Sequence, residues 1–74
     1  MPQLPILRVR ALLAALERDG FAVHRQHGSH MVMKHKVTAA RAVVPVHVGD
    51  VPRPLLRKIL REAGISEEQF LRLL

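Results

Sequence analysis

The chain has 74 residues, with 12 Lys and Arg against 6 Asp and Glu, two Phe, and no Cys, Trp or Tyr. A chain of this length supports one compact core, read here as a single domain over residues 1–74. The missing cysteines exclude disulfides, thiolate metal sites and thiol nucleophiles and fit a reducing, cytoplasmic setting.

Ile6 to Asp19 reads as a helix, because Ile6, Val9, Leu12, Leu13 and Leu16 form an apolar stripe at i, i+3, i+4 spacing. Pro5 suits a first helical position. Gly20 followed by Phe21 is a helix stop with an apolar residue behind it. The period then changes. Phe21 to Gln26 alternates, placing Phe21 and Val23 on one face of a strand. His27-Gly28 is a turn, and Ser29 to His35 is a second strand. Its two faces, Ser29, Met31, Met33 and His30, Val32, Lys34, are both plausible core faces. Lys36 to Arg41 is a polar connection. Ala42 to Val48 is a Val-rich third strand that Pro45 assigns to an edge, a bulge or a strand end. Gly49 to Pro54 is a proline-punctuated loop. It leads into a helix over Arg53 to Ala63 with Leu56, Ile59, Leu60 and Ala63 as its core stripe. Gly64-Ile65 repeats the helix stop, and Ser66-Glu67-Glu68-Gln69 is a capping box opening a short last helix with Phe70, Leu71 and Leu74. The expected fold is α+β. A three-stranded antiparallel sheet carries both main helices on one face, with a short C-terminal helix, as in double-stranded-RNA-binding domains.

No uncharged run approaches the roughly 18 apolar residues of a membrane span, so no membrane partner is expected. Met1-Pro2-Gln3-Leu4-Pro5 has neither the basic nor the apolar region of a signal peptide.

The net charge of +6 is unevenly placed. Arg25, Lys34, Lys36 and Arg41, together with all five histidines, lie in a stretch without any carboxylate between Asp19 and Asp50. Such a stretch favours a polyanion. Arg53, Arg57 and Arg61 recur every four residues with Lys58 beside them, a ladder that phosphates could occupy. Ser29, Thr38 and Ser66 are the only hydroxyls; no carboxylate lies near Ser29 in sequence, and Glu17, Asp19 and Asp50 could approach only through folding, which argues against a serine hydrolase. His24, His27 and His30 span a hairpin, so they need not converge on zinc. RNA, in contrast, brings its own nucleophile, the 2′-OH. One positioned imidazole then contributes roughly 10²–10⁴ in rate, and neighbouring cations stabilise the developing phosphorane charge. His30, after a glycine turn and among Arg25 and Lys34, meets that description.

Gly20-Phe21, Arg25 to His30, Val44 to His47 and Leu56 to Ile65, in this order and spacing, resemble the HicA (YcfA-like) toxin family over about Leu4 to Leu74. The resemblance implies an α-β-β-β-α fold and a ribonuclease that cleaves mRNA and arrests growth. It places the catalytic histidine of the Gly-Ser-His motif at His30. It also implies a HicB-type antitoxin that covers the active site, the toxin being a monomer alone or part of a hetero-oligomeric complex. On this reading Arg25, Lys34, Arg57 and Lys58 contact phosphate, Gly28 sets the turn, and Ser29 orients His30 or a phosphate. No metal or other cofactor is expected, and water or Lys34 serves as the second proton-transfer group. A non-catalytic RNA-binding module of the same fold is the alternative, and an acidic protein partner is a third possibility. Three positions depart from the family pattern. Arg8-Val9 replaces the usual Ser-Gly or Thr-Gly helix start, Pro54-Leu55-Leu56 replaces Gly-Thr-Leu, and the connection from Lys36 to Arg41 lacks a turn glycine.

Overall fold

The computed structural model describes residues 3–74. Met1 and Pro2, part of the segment considered above for a leader, lie outside the described residues. The elements in order are β1 (Leu7–Arg8), α1 (Val9–Asp19), β2 (Phe21–His27), β3 (His30–His35), β4 (Arg41–Pro45), β5 (Asp50–Val51), α2 (Arg53–Ala63) and α3 (Glu67–Leu73). Strands β2, β3 and β4 form an antiparallel sheet in that order, and β1 pairs with β5 in a separate antiparallel ribbon.

Directly opposed residues of an antiparallel pair share a face, so the register sorts the sheet into two surfaces. One carries Met31 opposite Val44 and Met33 opposite Ala42, and Met33, Ala42 and Val44 are fully buried there. This settles which face of β3 packs inward. The helices cover it: α1 packs on β2 and β4, α2 on β4, and α3 on both other helices. Leu12, Leu16, Phe21, Met33, Leu56 and Phe70 are among the largest side chains of the single buried cluster. The opposite surface, with His30, Val32 and Lys34, faces solvent.

Several boundaries differ from the sequence expectation. The first helix begins at Val9, not Ile6, because Leu7 and Arg8 pair with Val51 and Asp50 instead. Pro5 therefore lies outside the helix and Ile6 is 57% exposed, off the core stripe. The loop from Gly49 to Pro54 accordingly contains a strand. It is tied further by Arg53, whose Nε donates to the Leu4 carbonyl. The third strand ends at Pro45 rather than Val48, since β3 begins at His30 and offers no partner further on. Val46 makes one last bond, donating to the Ser29 carbonyl at 2.7 Å. Pro45 thus closes an edge strand, where a missing N–H is tolerated. Val23 shares the face of Phe21 and Met33 by register but remains 55% exposed at the outer edge of the sheet.

The helix ends follow their sequence signals. Gly20 and Gly64 adopt left-handed conformations after α1 and α2, and Ser66 and Gln69 form the reciprocal capping box of α3. Neither main helix has a side-chain N-cap; Arg8 and Pro52 occupy those positions. Where a turn glycine is missing, Ala39 takes φ 63°, in the left-handed region that a Cβ disfavours.

Candidate active site

The site begins with the β2–β3 hairpin. His27 pairs with His30, which leaves Gly28 and Ser29 as a two-residue loop, one position later than the sequence suggested. Gly28 has φ 62° and Ser29 does not have a positive φ, the pattern of a type II′ turn with glycine first. Its twist matches that of the flanking strands, so the turn is short and stiff. Gln26 Nε2 donates to the Gly28 carbonyl at 3.3 Å, and Val46 holds the Ser29 carbonyl from β4. His30 is therefore the first residue of a strand anchored on both sides.

The register places His30 on the solvent face, between His27 of β2 and Pro45 of β4. Arg25 lies in the next row opposite Val32, with Val43 beyond it. Lys34 follows in the third row, flanked by Ala22 and Arg41. Arg25, Lys34 and Arg41 thus share one surface with His30, and strands β2 to β4 contribute no carboxylate to it. Lys34 stands four residues along β3 from His30, roughly 13 Å at ~3.3 Å per residue. On the backbone spacing it stands nearer a neighbouring phosphate than the one that His30 touches.

Helix α2 forms the other wall. His30 lies at a groove of about 320 Å³ between the edge of the sheet and α2. Val43, Pro45, Leu55 and Ile59 supply its apolar lining, and Lys58 and Glu62 its charged wall. The His30 ring has no hydrogen-bond or ion-pair partner among the described residues, and Lys58 and Glu62 make no ion pair there either. All three polar side chains are exposed and free to meet a ligand.

The basic ladder of α2 is divided by the helix geometry. Lys58 shares the His30 groove. Arg57 points to the other flank, where its Nε lies 4.0 Å from Glu67 Oε2, and Arg61 lines the same depression beside Ile65 and Ser66. Arg53 is engaged with Leu4. Of the four bases, only Lys58 lines the groove at His30.

Among the described residues no group of three or more His, Asp or Glu side chains is arranged to hold a metal ion, so His24, His27 and His30 form no such cluster. His24 falls where the β2–β3 register shifts between Val23 and Arg25 and has no opposite residue. A larger cavity, about 740 Å³, lies elsewhere, between α1 and residues 46–49 over Leu13 and Met31, on the helix-covered face. Sequence reasoning did not anticipate Glu62 and Pro45 beside His30. Leu55, Lys58 and Glu62 lie at i, i+3, i+7 and so share a helix face, but nothing local says that this face meets the sheet edge.

Among the described residues no helix is long and apolar enough to cross a membrane. No curated protein sequence matched the chain. The model of the family described as the HicA toxin of bacterial toxin–antitoxin matches residues 9–65. That span runs from the first residue of α1 to just past α2 and includes the hairpin, the sheet and both walls of the groove. With most of its length and all of the groove inside the match, the chain belongs to the HicA toxin family of bacterial toxin–antitoxin systems.

Proposed function

We propose that this toxin is a metal-independent endoribonuclease in which His30 is the general base. The observation that carries the reading is the position of His30. It is an exposed, unpartnered imidazole at the mouth of a rigid turn, on a sheet face that carries only basic charge. RNA laid across that face would place one phosphate at His30 and others near Arg25 and Lys34. Neutral His30 takes the 2′-OH proton as O2′ attacks phosphorus. The bond from phosphorus to O5′ breaks, and the leaving oxygen takes a proton from water, with Lys34 four residues further along the strand. His30 then releases its proton to solvent. The products are a 2′,3′-cyclic phosphate and a 5′-hydroxyl. Lys58 stabilises the extra charge on the phosphorane. Gly28 and Ser29 hold the turn, with the Ser29 hydroxyl free to orient His30 or bind phosphate. Arg57 contributes at longer range, from the other side of α2.

The same exposed groove suits a HicB-type antitoxin, whose binding would bury His30 and exclude RNA. The test is cleavage of single-stranded RNA by the purified chain in EDTA. The expected result is cutting in chelator with cyclic-phosphate ends, and a loss of roughly 10²–10⁴ in rate for His30→Ala. Loss of cutting in EDTA would sink the metal-free mechanism. Undiminished cutting by His30→Ala would remove His30 from it. Salt-sensitive binding without cutting would leave an RNA-binding module.

A further inference from the structure

The groove beside His30 is not shaped like a phosphate site alone. Val43, Pro45, Leu55 and Ile59 give it an apolar lining, a surface for the face of a flat ring, and the chain has no Tyr or Trp to stack on. Its wall presents one cation, Lys58, and one carboxylate, Glu62, four residues apart on the same helix face and without an ion pair between them. A carboxylate repels phosphate, so its presence at a site for RNA calls for a group that donates hydrogen bonds. An apolar slot edged by one donor and one acceptor is the chemistry of a nucleobase subsite.

We propose that this groove binds the base flanking the scissile phosphate and that Glu62 selects guanine. The inference rests on the ribonuclease reading of His30. Guanine alone among the RNA bases offers two adjacent N–H donors, N1–H and N2–H, on its pairing edge, with the O6 acceptor next to them. A carboxylate accepts both donors at once, and an ammonium at its side reaches O6. Adenine and cytosine offer an amino group next to a ring nitrogen acceptor, and uracil offers one N–H between two carbonyls. Each of these sets a lone pair against the second carboxylate oxygen. A bidentate pair of this kind discriminates between bases by roughly 10- to 100-fold.

The test compares the wild-type chain with Glu62→Gln, a near-isosteric change at an exposed helix position. Cleavage is read on RNA oligonucleotides that differ only at the bases flanking one cut. The wild type should cut the guanine oligonucleotide roughly 10- to 100-fold faster. In Glu62→Gln that ratio should collapse toward one while cutting of the other oligonucleotides stays unchanged. An unaltered ratio overturns the proposal. So does an equal loss on every oligonucleotide, which would make Glu62 a proton-transfer or folding residue. Equilibrium binding of guanosine and adenosine 3′-monophosphate to His30→Ala separates the two readings, since it needs no cleavage. A guanosine preference that Glu62→Gln removes supports the subsite even if the wild type cuts nothing. Equal affinities overturn it even if the wild type is an active ribonuclease.

Discussion

His30 and His35 stand at the two ends of one strand, five residues apart and so on opposite faces. His30 is exposed and none of its ring atoms is engaged. His35 is 14% exposed, and both of its nitrogens are committed. Its Nδ1 accepts from the Val37 and Thr38 N–H groups at 3.1 and 3.2 Å, which leaves the proton on Nε2 to be donated to the Asp19 carbonyl at 2.8 Å. The Phe21 ring packs edge-on against it at 5.0 Å, and Asp19 Oδ2 lies 3.7 Å away. One imidazole organises the β3–β4 loop and the end of α1; the other projects from an anchored strand end with its ring left free. On the proposed reading, a histidine becomes a reactive group here through what the fold withholds from it.

Four substitutions test that division. The largest effect is expected for His30→Ala, which should lose cleavage by roughly 10²–10⁴ while its thermal midpoint stays where it was. A lowered midpoint would mean that His30 also supports the fold. His35→Ala should do the opposite. It removes an acceptor for two backbone donors, the bond to Asp19 and the contact with Phe21, for a loss of about 2–3 kcal/mol in denaturant unfolding. Cleavage per folded molecule should survive, and unchanged stability would refute the structural role. Gly20→Ala attacks the same junction from the backbone. Gly20 has φ 117°, and a Cβ there would sit 2.7 Å from His35 Nε2. A cost of about 2 kcal/mol is expected from strain and displacement of the ring. The smallest effect runs the other way. Ala39→Gly should relieve the left-handed backbone of the β3–β4 loop and raise stability by about 1 kcal/mol. A loss instead would show that the Ala39 methyl contributes more than its strain costs.

Much of this was readable along the chain wherever the determinant is local. Helix stops at Gly20 and Gly64 and the capping box at Ser66 each depend on a few neighbouring residues and appear where expected, and the turn at Gly28 appears one position later than expected. The departures are non-local. Leu7 and Arg8 carry a helical pattern yet pair with residues some forty positions away. Pro45 and Val46 end β4 because another strand has ended. The basic ladder of α2 is regular in sequence, but Lys58 and Arg57 differ by one position and so point to different flanks, one toward His30 and one toward Glu67.

The chain alone specified a small, basic, cysteine-free α+β domain and singled out His30, because charge placement, periodicity and turn chemistry are written residue by residue. Tertiary structure decided which face of β3 is buried, and therefore that His30 and Lys34 face solvent while Met33 enters the core. It also paired Pro45 of β4 with His30 and set α2 beside the sheet edge, bringing Lys58 and Glu62 to His30. Those choices depend on how two helices share one sheet face. That is a matter of packing between distant segments, to which no local pattern is sensitive.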